Sequence, residues 1–271
     1  MRALVAALVV AVGATVASGA RAAEPVRVYA AGSLKAALGE IARDFERVED
    51  VPVTIRFGAS GLLRDDIAQG ADIDVFASAN MEHPRALAEA GKSGPPVLFA
   101  HNQLCALLRP GFEAESATLI DRMLDGGVKL GTSTPRADPS GDYAWDMFRK
   151  IDALRPGAFA VLDRKALQLT GGPASPAPPP GRGTYAAIIE RGDADIMLTY
   201  CTNARQTLGE VAGARVLDLP AEIAVGADYG LAVMRGASVA GHRFALFILS
   251  QDGQAVLSRH GFNAPTGVAD R

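Results

Sequence analysis

Histidine and cysteine are scarce in this 271-residue chain. This scarcity argues against metal sites and lipid attachment, which depend on these residues. Four histidines are scattered between His83 and His260 with no spacing typical of metal ligands, so the sequence does not indicate a metal site. The two cysteines are Cys105 and Cys201. Because none precedes Cys105, the sequence excludes a lipid anchor on a mature N-terminal cysteine.

Catalytic motifs are absent as well. The segment Gly58-Ala59-Ser60-Gly61 is followed by Leu62. A nucleophile elbow has the pattern G-x-S-x-G and requires glycine at that last position. Gly91-Lys92-Ser93 is similar to the end of a phosphate-binding loop, but Ala86 stands at the position of its first glycine. We therefore expect a protein that is not an enzyme and has no cofactor.

Long apolar runs are missing beyond the N-terminus. There, Arg2 precedes the apolar residues 3–12, and small residues follow up to Ala20-Arg21-Ala22. A basic start, a short apolar stretch and an A-x-A site are typical of a cleaved secretory signal, and the run is too short to span a bilayer. We expect residues 1–22 to be a signal peptide and the mature protein to be located in the periplasm.

The mature chain has an excess of acidic residues. Removing residues 1–22 takes away two arginines and no acid, which changes the formal charge from −3 to −5. An acidic protein is not suited to bind nucleic acid or an anionic membrane. Neither partner is expected.

Strand and helix patterns alternate along the mature chain. Residues 26–30 have the composition of a strand, and apolar residues between Leu34 and Phe45 then recur at helical spacing. Further strands are predicted at 51–57, 73–77, 97–108, 128–131 and 196–200, with helices at 62–69, 142–151 and 185–191. Such alternation predicts an α/β fold with mostly parallel sheets and right-handed crossovers. The proline-rich segment 171–183 is predicted to be a loop.

Three serines stand at predicted turns that lead into helices: Ser33, Ser60 and Ser140. A serine at a helix start presents its hydroxyl beside unpaired backbone N–H groups, where the helix carries partial positive charge. Each serine alone is typical of ordinary helix capping. Three of them near the ends of strands indicate a site for a small anion.

Cys105 and Cys201 each lie in an apolar, strand-like run. Disulfides persist in exported proteins, and neighbouring strands could bring the two sulfurs together. We therefore expect a Cys105–Cys201 disulfide. The alternative is two buried free thiols, which pack as small apolar groups.

Several segments resemble the periplasmic molybdate-binding proteins, which serve transporters of the ATP-binding-cassette (ABC) class. The resemblance covers nearly the whole mature chain. The matching segments are 26–34 (VRVYAAGSL), 57–63 (FGASGLL), 71–79 (ADIDVFASA), 101–104 (HNQL), 138–144 (DPSGDYA) and 193–200 (DADIMLTY).

This resemblance implies a type II periplasmic binding protein with a hinge between two lobes, lobe one at 23–100 plus 222–271 and lobe two at 101–221. It places Ser33, Ser60 and Tyr200 as hydroxyl donors to a bound oxyanion. It places Ser140 and Arg182 where the family supplies main-chain N–H groups. Arg182 follows the unusual proline-rich loop, so its alignment with the family could shift by a residue or two. If its side chain faces the cleft, the guanidinium adds a charge-assisted contact.

The function implied is capture of molybdate or tungstate, as a monomer, for an ABC permease in the inner membrane. The nearest alternative is a binding protein for another small anion on the same scaffold. A hydrolase with Ser33 or Ser60 as nucleophile is a different class of alternative, which lacks a paired base. A ligand sensor that contacts a receptor is a third alternative.

Overall fold

The computed structural model describes residues 23–265, so the predicted signal peptide at 1–22 lies outside the described residues. Nine strands are formed in this range: Val26–Ala31 (β1), Val53–Gly58 (β2), Val75–Ser78 (β3), Val97–Leu108 (β4), Leu130–Ser133 (β5), Leu167–Thr170 (β6), Ile196–Tyr200 (β7), Arg215–Asp218 (β8) and Gly226–Val233 (β9). Ten α-helices accompany them: Lys35–Glu49 (α1), Ser60–Ala68 (α2), Glu82–Glu89 (α3), Leu119–Leu124 (α4), Pro139–Leu154 (α5), Ala158–Lys165 (α6), Thr184–Glu190 (α7), Cys201–Leu208 (α8), Val239–Leu249 (α9) and Gln251–Arg259 (α10).

All nine strands belong to one sheet, in the order β2-β1-β3-β9-β4-β7-β5-β6, with β8 also paired to β4. The first sheet half contains β1, β2, β3, β9 and the start of β4. The second sheet half contains the end of β4 and strands β5 to β8. Within the halves, β1 pairs in parallel with β2 and β3, and β5 pairs in parallel with β6 and β7.

The long strand β4 connects the two halves. Residues 97–103 of this strand pair antiparallel with β9, and residues 104–108 pair antiparallel with β7 and β8. The predicted α/β fold with parallel strands and flanking helices is therefore present, and antiparallel strands join its halves. The exact lobe boundaries stay a prediction.

Apolar periodicity explains the packing of the first half. In α1, Leu38, Ile41 and Phe45 recur on one face and are fully buried. Phe45 packs edge-on against Phe244 of α9, with ring centroids 5.1 Å apart. Burying a side chain of this size contributes about 1.5–3 kcal/mol. The helix ends at Asp50, which adopts a left-handed backbone conformation with φ of 53°.

Helix α5 organises the second half. Asp138 caps its N-terminus by accepting a hydrogen bond from the Ser140 amide, and Pro139 occupies the first helical position. Proline suits that position because its missing N–H would have no partner there. Met147, Phe148 and Ile151 form the buried face. Because of the cap, the helix starts three residues before the predicted Asp142.

The remaining predictions about organisation concern the loop and the membrane. Residues 171–183 form turns and irregular backbone, as predicted. Between residues 23 and 265, every helix is either too short or too polar to cross a bilayer.

Candidate ligand-binding site

A cavity of about 890 Å³ lies where the two sheet halves meet. Its walls come from segments at the carboxyl ends of β1, β2, β3, β6 and β7 and from the starts of α5 and α7. Ligands of α/β proteins bind at this edge of a sheet, where helix N-termini also converge. Four of the five predicted ligand residues line the cavity: Ser33, Ser60, Arg182 and Tyr200.

Ser33 lies in a short 3-10 helix between β1 and α1. Its Oγ lies 2.8 Å from the hydroxyl of Tyr229 on β9. Asn102 of β4 donates from Nδ2 to the same Tyr229 hydroxyl at 3.3 Å and to Thr202 Oγ1 at 2.9 Å. Either hydroxyl can be the donor in the contact between Ser33 and Tyr229. When the phenol donates to Ser33, the Ser33 hydroxyl proton is free to point at a ligand.

Ser60 is the first residue of α2 and is 1% exposed. Its Oγ accepts a hydrogen bond from the Ala79 amide at 3.1 Å, a contact that holds the start of α2 against the end of β3. A hydroxyl that accepts in this way keeps its proton for a further acceptor. Ser60 can therefore donate into the cavity.

The two halves touch beside this serine. The Gly61 amide of α2 donates to the Ala137 carbonyl at 2.9 Å, just before α5. A Cβ atom on Gly61 would stand 2.3 Å from the Arg136 carbonyl oxygen. Only glycine permits this approach of the two backbones.

Tyr200 ends β7 and is 2% exposed. Its hydroxyl has no hydrogen-bond partner among residues 23–265. The ring packs edge-on against Tyr229 and Tyr143, with centroids 5.6 and 6.3 Å away. Burial raises the pKa of Tyr200 well above its ordinary value, so the group is a neutral phenol that can donate a proton.

Ser140 is the second residue of α5 and is completely buried, although it is not part of the cavity wall. Its Oγ also lacks a partner within the described part of the chain. Its main-chain N–H, which the family resemblance assigns to the anion, donates to Asp138 Oδ1 at 3.1 Å. A ligand that uses this N–H must share it with the carboxylate.

Arg182 stands at the rim of the cavity. Its guanidinium pairs with Glu190 and also donates to the Glu210 carbonyl at 3.2 Å. Its main-chain N–H donates to the Pro179 carbonyl at 3.1 Å. The guanidinium is therefore occupied by acidic neighbours. The predicted role of Arg182 as an anion donor stays a prediction, and it requires the bond to Pro179 to break.

Sequence reasoning missed three residues of this site: Asn102, Asp138 and Tyr229. Asn102 and Tyr229 lie on β4 and β9, far in sequence from the serine that they position. Asp138 stood in the segment 138–144 that resembles the family, with no role of its own assigned. In the structure it caps α5 and also lines the cavity.

The cysteines form a disulfide, with Cα atoms 4.9 Å apart, so the alternative of two free thiols is wrong. Cys105 lies on β4 as predicted. Cys201 is not on a strand but is the first residue of α8, because the chain enters the helix directly after Tyr200. The bridge ties β4 to the residue next to this tyrosine.

Comparison with known proteins agrees with this architecture. A family model described as bacterial extracellular solute-binding protein matches residues 26–263. The Pasteurella multocida protein PM1146, which is uncharacterised, is 36% identical over 208 residues, or 76% of this chain and 86% of that protein. Escherichia coli molybdate-binding protein ModA is 26% identical over 245 residues, 88% of each chain.

A solved structure supports the fold independently. The sulfate-binding protein SubI of Mycobacterium tuberculosis superimposes with a TM-score of 0.74 at 18% identity, covering 90% of this chain and 88% of that one. The predicted periplasmic-binding-protein fold is confirmed, and so is the predicted resemblance to molybdate-binding proteins. The chain belongs to the bacterial extracellular solute-binding protein family.

Proposed function

We propose that this protein captures a tetrahedral oxyanion, molybdate or tungstate, in the cavity between its sheet halves. It then presents the anion to the permease of an ABC importer in the inner membrane. In this proposal it acts in the periplasm as a monomer, with no cofactor and no catalytic step. Family membership supports a solute-binding role, and the relative ModA, named for binding molybdate, supports the ligand.

The single observation that carries the proposal is the unpartnered hydroxyl of Tyr200 in the wall of the cavity. Leaving a buried polar group without a partner costs about 1–3 kcal/mol. An oxyanion that accepts from it recovers this cost. Ser33 and Ser60 add two more hydroxyls to the cavity wall, at the ends of β1 and β2. Neutral donors in one cavity suit an anion with an acceptor on every corner.

A second candidate is a small organic anion, such as a phosphate ester. The observation that favours it is the cavity volume of about 890 Å³. Cavities of roughly 300–1,000 Å³ are typical of sites for organic ligands. Arg182 does not strengthen this candidate, because Glu190 and Glu210 already occupy its guanidinium.

Thermal unfolding of the mature protein with different anions tests both candidates. Molybdate or tungstate at a thousandfold excess over its Kd should raise Tm by about 10 °C. Sulfate should leave Tm unchanged. A shift with glycerol 3-phosphate but not with the metal oxyanions would replace the first candidate by the second. No shift with either metal oxyanion would contradict the assignment of molybdate or tungstate.

A further inference from the structure

The cavity that we assign to an oxyanion contains an acid in its wall. Asp138 Oδ2 accepts a hydrogen bond from Ser133 Oγ at 2.5 Å, and Oδ1 accepts from the Ser140 amide at 3.1 Å. No lysine, arginine or histidine among residues 23–265 forms an ion pair with it. A Cβ atom on Gly171 would stand 2.6 Å from Oδ2, so the glycine leaves room for the carboxylate.

An ionised carboxylate and a dianion in the same cavity repel each other. The repulsion is strengthened wherever the cavity excludes water, because the local dielectric is low there. Asp138 also occupies the Ser140 N–H, which would otherwise help to neutralise the ligand. A site made only of donors therefore does not describe this cavity.

A carboxylate is also the acceptor that a protonated oxygen needs. We infer that Asp138 and the bound oxyanion share one proton, which is taken up from solvent when the anion binds. This inference rests on the proposed oxyanion function. The proton forms an O–H bond either to Asp138 or to an oxygen of the anion, and it is donated to the other. Both arrangements give the same proton balance.

The surroundings of Asp138 favour this sharing. Burial raises the pKa of Asp138 above its ordinary value, and the bonds from Ser133 and Ser140 offset only part of this effect. Burial also raises the pKa values of the tyrosines on three neighbouring elements, which keeps them protonated: Tyr185 on α7, Tyr200 on β7 and Tyr229 on β9.

The other titratable groups must be separated from Asp138 by controls. On α5 itself, burial raises the pKa of Asp142, and Tyr143 is protonated for the same reason. The charged or titratable groups elsewhere in the cavity wall are Lys35, Glu40, Arg43, Arg182, Glu210 and His260. His260 Nε2 lies 2.8 Å from Glu40, so a histidine control is needed beside the carboxylate control.

Calorimetric titration of the mature protein with sodium molybdate and sodium tungstate tests the inference. Titrations at pH 7 in two buffers of different ionisation enthalpy give the number of protons taken up. We expect about one proton per bound anion. We also expect the affinity for the anion to fall about tenfold per pH unit above the pKa of Asp138 in the ligand-free protein.

Asp138→Asn should abolish both the uptake and the pH dependence while still binding the anion. Asparagine keeps the size and the capping ability of Asp138, and circular dichroism checks the fold of the variant. Asp142→Asn and His260→Gln are the matched controls and should retain the uptake.

Three outcomes would overturn the inference. The first is anion binding by the wild-type protein without proton uptake, which leaves the proposed function intact and does not depend on any variant folding. The second is uptake that survives in Asp138→Asn or disappears in either control variant. The third is the absence of binding by both anions from pH 5.5 to 8, which overturns the proposed oxyanion function as well.

Discussion

Buried hydroxyls without partners cost stability. Tyr200 and Ser140 each carry one that finds no partner among residues 23–265. Tyr200→Phe should therefore leave the Tm of the protein without ligand unchanged or raised. The same variant should weaken oxyanion binding, because a hydrogen bond to a charged group contributes about 1.5–3 kcal/mol, or roughly ten- to a hundredfold in affinity. Calorimetric titration and thermal unfolding measure the two effects.

Tyr229→Phe is the matched control for this variant. The Tyr229 hydroxyl is bonded to Ser33 and Asn102, so its removal leaves buried partners unsatisfied and should lower Tm. If Tyr200→Phe instead loses as much stability as Tyr229→Phe and retains full affinity, the hydroxyl is structural and does not hold the ligand.

Asp138 gives a second prediction at the residue scale. Its folded-state pKa is raised by burial, so between the unfolded-state and folded-state pKa values the folded protein holds a proton that the unfolded chain releases. The contribution of Asp138 to the free energy of unfolding is therefore lost as pH rises from the ordinary aspartate pKa of about 3.9 through the folded-state pKa. Asp138→Asn should melt above wild type at pH 7 and 8, and this difference should shrink towards pH 4.

Asp74 provides a control whose pKa shift is opposite in direction to that of Asp138. Burial raises its pKa, but hydrogen bonds from the Arg27 and Ser238 amides outweigh that effect, and the net pKa is lowered. Its stabilisation is present above the unfolded-state pKa and is lost as pH falls through the folded-state value. Asp74→Asn should therefore melt below wild type at neutral pH. An Asp138→Asn variant that behaves like Asp74→Asn would disprove the account of Asp138.

The sequence predicts site residues only where they lie in a recognisable local motif. Ser33, Ser60 and Tyr200 stand in such motifs, and all three line the cavity. Tyr229 bonds to Ser33 across 196 positions of the chain, and no local pattern indicates such a pair. The pairing follows from strand order in the sheet, which is a property of the folded chain.

At the scale of elements, the start of α2 is where the two halves meet. Gly61→Ala should be tolerated by the helix itself, since alanine is the best helix former. Its Cβ atom would clash with the Arg136 carbonyl and hold the halves apart. Affinity should fall roughly tenfold or more, because it scales with the fraction of molecules that can close. Calorimetric titration and small-angle scattering measure affinity and closure.

Gly39→Ala on α1 is the matched control for this change. A Cβ atom at Gly39 would meet only the Arg43 guanidinium, at an ordinary distance of 3.8 Å. This variant should bind as wild type does. Equal affinity in Gly61→Ala and Gly39→Ala would mean that binding does not require the contact between α2 and the segment before α5.

The bounds of a strand or helix were predictable where prolines flank it at both ends. Strand β4 has the predicted limits of 97–108, between Pro95-Pro96 and Arg109-Pro110. The position of Cys201 was not predictable, because the apolar run continues from β7 into α8 without a turn residue. Hydrophobicity alone does not distinguish a buried strand from the buried start of a helix.

At the scale of the whole molecule, the disulfide links positions that are 96 residues apart. Replacing both cysteines by alanine should cost about 2–5 kcal/mol and lower Tm by roughly 5–15 °C. Differential scanning calorimetry of the variant and of the oxidised protein measures the difference. Only the wild-type protein should respond to a reductant. An equal Tm for the two proteins would show that the bridge contributes nothing to stability.

The overall architecture was predictable from the alternation of strands and helices, since a parallel sheet follows from it. The antiparallel strands β4 and β9 were not, because their pairing joins residues 97–103 to residues 226–231. Contacts over such distances leave no local pattern. Yet this pairing connects the two halves, and the cavity lies between them.

The central claim is that an oxyanion binds between the two halves, held by the hydroxyls of Ser33, Ser60 and Tyr200. A crystal structure of the mature protein with tungstate, recorded at the tungsten absorption edge, tests it most directly. The account predicts one anomalous peak in the cavity, with these three hydroxyls within hydrogen-bond distance of the tungstate oxygens. A peak elsewhere, or none at saturating tungstate, would contradict the account.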